Sequence, residues 1–162
     1  MSFPSTRRAS ILFFRMSIRN RNIPWRGKMP FYKMSEMEES HVAAQPMGKF
    51  KGLAGELMKV GFVTYPTGKL SRPHFHPNEE QFLLILEGKQ IMIVGEEERL
   101  LGPGDLAHVP RNTKHGGIIL DEVVMFTVKS PVGDGSLDQD HNDAEDAEEI
   151  TRHLKRKLRE LT

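Results

Sequence analysis

Two histidines one residue apart, His74 and His76, stand in a region whose short runs of Val, Ile, Leu and Phe read as extended chain. In a strand, side chains two positions apart project from the same face, so both imidazoles can meet one small ion. The same spacing equally describes two histidines facing water. The chain has no cysteine, which removes disulfides, thiolate metal sites and a cysteine nucleophile together. Any metal must therefore be held by histidine, carboxylate or amide groups.

The elements that would position such residues can be read from periodicity. From about residue 57 apolar runs are separated by Gly, Pro and Asn signals about every 8 to 12 residues, the spacing of a sandwich or barrel, with no helical period between them. Strands are expected at 57–65, 69–75, 82–86, 90–94, 99–101, 106–109, 117–120 and 123–128. Turns are expected at Pro66-Thr67-Gly68, Gly95-Glu96-Glu97, Gly102-Pro103-Gly104-Asp105, Pro110-Arg111-Asn112-Thr113 and Asp121-Glu122, whose residues accept tight or left-handed backbone. The pattern is that of an all-β, antiparallel jelly roll. Beyond it, Ala147, Ile150, Leu154, Leu158 and Leu161 recur at three and four residues, the period of one helix face. Acids at its start and bases at its end suit the helix dipole. This C-terminal α-helix is expected to pack on the barrel or on a partner subunit.

A length of 162 residues suits one domain with tails. The expected organisation is a basic, disordered tail over 1–35, a lead-in segment over 36–56, the barrel over 57–131, a loose linker over 132–142 and the helix over 143–162. Residues 1–35 hold eight Lys or Arg and no acid, whereas the remainder carries 15 bases against 22 acids, so a net charge of +1 conceals an acidic core. That core is not a nucleic-acid surface. The run Ile11-Leu12-Phe13-Phe14 is far too short to span a membrane. Three readings of the tail compete: an over-extended reading frame with its start at Met29 or Met34, an inert basic tail, and an organellar transit peptide. The first two leave the protein cytoplasmic.

Gly68, His74, His76, Gln81 and Gly88 are separated by five, one, four and six residues, which resembles the first motif of the cupin superfamily, with Gln where that family usually has Glu. Downstream, GPGDLAHVPRNTKH (residues 102–115) resembles the second motif. The resemblance is tight over 68–88 and 102–115, looser over 57–131, and silent on both tails. It identifies the chain as a small single-domain cupin of the cupin-2 type. The resemblance implies a double-stranded β-helix holding one divalent ion (iron, manganese, nickel, zinc or copper) on His74, His76, Gln81 and His115. Two further departures from the motif are Asn112 for Gly, tolerable because Asn visits the left-handed region, and Ile119 for Asn, read as an outer position.

Gln81 is the departure with chemical content, because an amide oxygen binds a divalent ion more weakly than a carboxylate but leaves the site one unit more positive. Glu80 is the rival ligand, though strand alternation favours Gln81. Glu79 and Glu80 would then flank the barrel mouth, and Glu80 is the candidate general base, against the plainer reading of a solvated loop charge. His108 is expected within the wall or at the rim, and His41, His141 and His153 in solvent. Met58, Met92, Met125, Phe62 and Phe126 fit plain core better than pocket lining. Leu83 and Ile85 share the face of Gln81 and should give an apolar floor that suits a small organic ligand with one metal-binding oxygen.

Fold and site do not determine the reaction. The His-x-His-x4-Gln form resembles small cupins that open sugars in pectin breakdown and some polyketide cyclases. The resemblance therefore implies a metal-dependent enzyme that isomerises or ring-opens a small sugar-acid-like or enolisable substrate. An iron-dependent dioxygenase and a non-catalytic small-molecule-binding module are the alternatives; a DNA-linked regulator lacks its helix-turn-helix. A homodimer is expected, since a small barrel has edges to protect.

Overall fold

Alternation decides which residues face inward. Along β2 (Lys59–Tyr65) Lys59, Gly61, Val63 and Tyr65 are buried while the residues between them are half-buried, as a strand with one covered face requires. The computed structural model describes residues 31–161 apart from residues 41, 43, 44 and 138. The basic tail up to residue 30 and His41 lie outside the described residues. In chain order the other elements are β1 (Lys49–Ala54), β3 (Leu70–Phe75), β4 (Glu80–Val94), β5 (Glu97–Leu101), β6 (Leu106–Val109), β7 (His115–Ser130), β8 (Asn142–Asp143) and the helix α1 (Ala147–Leu161).

The strands form an antiparallel sheet in which β1, β2, β7, β3 and β8 are successive neighbours, and β4 pairs with β5, β6 and β7. The fold is an all-β jelly roll with a C-terminal helix. Two long strands organise it. β4 runs beside β7 from Glu80↔Ser130 to Val94↔His115, with register shifts between Ile85 and Gln90. The segments 82–86 and 90–94, expected as two strands, are therefore halves of one, and so are 117–120 and 123–128. Asp121-Glu122 is not a turn, because pairing with β4 continues past it. β1 and β8 were not expected; β1 carries a Gly in mid-strand, and β8 is two residues long, too little pattern for either to be read.

The bend in β4 falls at Gly88, whose φ of +77° lies in the left-handed region. A Cβ there would sit 2.0 Å from the Glu122 carbonyl oxygen, so close backbone approach also demands glycine. Asn112 takes φ +58°, the conformation expected where the motif has Gly.

One core cluster fills the barrel, with Phe50, Val63, Tyr65, Leu83, Ile85, Met92 and Met125 among its members. Ile119 belongs to it and is fully buried. It is therefore not an outer position, because β7 turns that residue inward. A second cluster lies between the sheet and α1, where Leu154 packs on Ile91 and Ile118 with Ile150 and Leu158 beside it. Leu161 remains exposed. His153, expected in solvent, is half-buried: its Nε2 lies 2.5 Å from Glu98 Oε2 of β5, and Lys157 pairs with the same carboxylate at 3.2 Å. No helix among the described residues is long and apolar enough to cross a membrane.

The bend yields a paired prediction for denaturant unfolding. Gly88→Ala meets backbone as well as an unfavourable φ and should destabilise by about 3 kcal/mol. Gly68→Ala has the same sign of φ but open space around the new methyl, and should cost only about 1 kcal/mol.

Candidate metal centre

His74 of β3 and His115 of β7 are cross-strand partners, and His76 follows two residues later on the same face. Nitrogens of the three rings lie within 4.8 Å of one another. All three side chains are buried.

Their backbone neighbours decide which nitrogen is presented. His74 Nδ1–H donates to the Arg72 carbonyl at 2.7 Å, His76 Nδ1–H to the Asp140 carbonyl at 3.1 Å and His115 Nδ1–H to the Thr113 carbonyl at 3.2 Å. A carbonyl can only accept, so each Nδ1 carries the proton and each Nε2 keeps its lone pair; at His74 the donor Gln45 Nε2 also lies 3.3 Å from Nδ1, but it donates to the same Arg72 carbonyl, and the shorter 2.7 Å contact sets the tautomer. His76 Nε2 is buried without a hydrogen-bond partner among the described residues.

Gln81 is oriented by similar logic. Thr127 Oγ1 donates its proton to the Phe82 carbonyl at 3.2 Å and so must accept from Gln81 Nε2, at 2.8 Å. The amide is thereby held with its oxygen pointing elsewhere, and Gln81 Oε1 is buried with no partner among the described residues. An orphaned amide oxygen and an orphaned imidazole nitrogen on one cavity wall are the unmet demands that a cation satisfies. Three nitrogens and one neutral oxygen suit zinc, iron, manganese, nickel or copper. The residues present fit the expected ion.

The cavity has about 70 Å³ of free space, and Leu83, Met92 and Met125 line it beside the polar groups. Its floor is apolar, but of the two expected residues Leu83 lines it and Ile85 lies in the core behind it. Met92 and Met125 are thus lining as well as core, whereas Met58 is exposed, and Phe62 and Phe126 tilt against each other at 5.2 Å on the opposite face of β2 and β7.

Glu80 is not brought to this centre. It alternates to the outer face, where Oε1 lies 2.7 Å from His108 Nε2 and both side chains are about half exposed. His108 stacks on Phe82 and so lies on the outer wall. Glu79 does turn inward and is fully buried, but it is bound by two ammonium groups, Lys59 at 2.5 Å and Lys129 at 3.2 Å, and by the Gln139 amide at 2.7 Å. Glu79 also lies near His76 and Asp140. The two lysines make that second cluster a poor cation site.

His141 was expected in solvent and is not there. Its side chain is only 8% exposed and its ring stacks on His74 at 4.0 Å, 17° from parallel. Two rings stacked in this way cannot both hold one ion in their planes, so His141 stands at the centre as a neighbour and not as a donor. The described residues of 132–142 are also not loose. Lys129 Nζ donates to the Leu137 carbonyl at 2.7 Å, Lys59 Nζ to the Ser136 carbonyl, and the Asp140 carboxylate accepts from the Asn78 and Glu79 backbone N–H groups. The segment is a strap across the barrel.

Burial pushes His115 down to about 3 and His76 down to about 4, with His76 and Lys129 respectively the next contributions, and holds His74 well below its usual value. Burial likewise lowers Lys129 to about 8 against the pull of Glu79.

A cupin domain model matches residues 61–129. The solved structure of KdgF from Halomonas sp. matches with a TM-score of 0.58 and 24% identity, over 62% of this chain and 94% of that one. A sugar phosphate isomerase of the cupin superfamily from Silicibacter pomeroyi matches with a TM-score of 0.55 and 19% identity, over 62% and 75%. The Streptomyces nucleoside dehydratase Pac13 matches with a TM-score of 0.57 and 17% identity, over 70% and 89%. No curated protein sequence matches significantly. Residues 61–129 are thus a cupin domain, and the fold is that of the cupin barrels.

Two predictions follow from the buried charges. Glu79→Gln leaves two buried ammonium groups without a carboxylate and should destabilise by about 3–5 kcal/mol in denaturant unfolding. In metal-free protein, His76 and His115 take up protons in the unfolded chain near 6.5 but not in the fold until about 4 and 3. The unfolded state therefore binds more protons between those values, so stability should fall as pH drops from about 6.5 towards 4, with a shallower slope in His115→Gln.

Proposed function

We propose that the protein is a metal-dependent enzyme that isomerises or ring-opens a small oxygenated substrate, sugar-acid-like or an enolisable carbonyl compound, with one divalent ion on His74, His76, His115 and Gln81. The observation that carries this reading is the convergence of three imidazoles, each with Nδ1–H spent on a carbonyl, beside an amide oxygen left without a partner. When bound, such an ion polarises a hydroxyl or carbonyl oxygen as a Lewis acid.

The chain's own residues supply the rest. Thr127 keeps the Gln81 oxygen turned inward, and Leu83, Met92 and Met125 exclude water from the floor. His141 lines both the cavity and an outer groove formed with Arg72, Asn142 and Lys155. Among the described residues it is the titratable group common to cavity and groove, and it takes the proton-transfer role that Glu80 cannot reach. Two of the similar structures are named as a sugar phosphate isomerase and a nucleoside dehydratase. Both names describe chemistry on small oxygenated molecules.

A second reading, a binding module without turnover, is favoured by the engagement of Glu79 by two lysines and of Glu80 by His108. A loaded protein that binds an enolisable sugar acid, yet exchanges none of its α-hydrogen with deuterated water, would be that module.

Elemental analysis of the purified protein beside His76→Ala and Gln81→Ala tests the centre. About one ion per chain is expected, lost in the first variant and more weakly held in the second. Its identity separates Lewis-acid chemistry from oxygen chemistry at iron. No metal in the wild type after reconstitution with iron, manganese, nickel and zinc would overturn the reading.

A further inference from the structure

Ammonium groups on the inner face of a small barrel need a counter-charge, because an unpaired charge out of water is costly. Lys59 is fully buried and Lys129 is 5% exposed, and one fully buried carboxylate, Glu79, stands between them. It lies 2.5 Å from Lys59. Its other oxygen is 3.2 Å from Lys129, near enough for an ion pair but not aligned for a hydrogen bond. The next acid, Asp140, is at the partly exposed rim, and its carboxylate already accepts from the Asn78 side-chain amide and the Asn78 and Glu79 backbone N–H groups.

The fully buried set therefore holds one more positive than negative charge, and the surplus belongs to Lys129, the less tightly paired of the two. Lys129, unlike Lys59, lines the cavity beside His76 and Gln81. Only one of the three donors on its ammonium is taken by a hydrogen bond among the described residues, to the Leu137 carbonyl. No carboxylate lines the cavity among the described residues. The four donors His74, His76, His115 and Gln81 are neutral, so a divalent ion on them would add its full charge to that of Lys129.

We propose that the cavity is built for an anion: a small carboxylate-bearing ligand with one oxygen directed at the histidine and Gln81 centre and the other accepting from Lys129. Lys129 is then a specificity-determining residue that selects acids over neutral analogues. The inference rests on the metal reading above and adds the class of ligand. Free space of about 70 Å³ is several times what one water needs, enough for a carboxylate and its neighbouring carbon. The remainder of the ligand must lie outward past Gln45 and His141, which line both the cavity and the outer groove.

The test uses cobalt-loaded protein, with visible absorption of the ion as the readout, titrated with acetate and with its neutral counterpart acetamide. Lys129→Met is the variant, since it leaves Lys59 and Glu79 as a balanced pair; metal content and circular dichroism report its integrity. Acetate should bind the wild type at concentrations where acetamide does not, and the variant should lose about tenfold or more in acetate affinity at unchanged metal content. Equal response to acetate and acetamide in the wild type, or unchanged acetate affinity in Lys129→Met, would overturn the proposal, and the wild-type comparison decides alone if the variant does not fold. Failure to take up cobalt would instead count against the metal reading. In that case thermal unfolding of the metal-free protein decides, with acetate raising the midpoint of the wild type more than acetamide does if the proposal holds, and no such difference if it does not.

Discussion

Imidazoles can be packed ring against ring inside a barrel only while they are uncharged, and this constraint shapes everything around the centre. His74 lies 4.2 Å from His115, 4.8 Å from His76 and 4.0 Å from His141, centroid to centroid. A single added proton would meet low dielectric and three polar rings, with no carboxylate on the cavity wall among the described residues. The fold meets the constraint with backbone carbonyls. These satisfy each Nδ1–H without introducing a charge and leave the opposite nitrogens as lone-pair donors, which is the state a metal requires.

The carbonyls come from three separate pieces of chain. Arg72 belongs to β3 itself, Thr113 to the turn before β7, and Asp140 to the strap, so the centre draws on segments far apart in sequence. Asp140 links the strap to the loop before β4 twice, through its carbonyl to His76 and through its carboxylate to the Asn78 and Glu79 amides. Glu79 then draws in Lys59 of β2, Lys129 of β7 and Gln139. Orientation of one imidazole is thus tied to the buried ion network, and both are tied to the closure of the barrel by the strap.

Much of the barrel was legible because alternation and turn chemistry are local signals. The pairing of His74 with His76, the inward face of Gln81 with Leu83 and Ile85 and the apolar stripe of α1 all follow from spacing, whereas the left-handed Asn112 was implied by the resemblance to the cupin motif. Continuous β4 and β7 did not, because Gly88 and Asp121-Glu122 look like chain breaks when the neighbouring strand cannot be seen. His141 was misplaced for a related reason: it follows a polar linker and reaches the centre only through tertiary contact. Lys59 and Lys129 left a signal that parity could have found. Each alternates with inward residues, Lys59 with Val63 and Tyr65, Lys129 with Met125 and Thr127, but a lysine in a strand invites an assignment to the surface.

Glu80 and Gln81 are adjacent residues on opposite faces of β4, and only their distance from the fixed bend at Gly88 decides which faces inward. Loss of one residue between Gln81 and Gly88 would place Glu80 where Gln81 now stands. Two kinds of centre, one neutral in its donors and one carrying a carboxylate, are therefore separated by a single-codon deletion with no substitution at either residue. For a lineage of such barrels, segment length is then as heritable a determinant of the charge on the inner face as the residue types themselves.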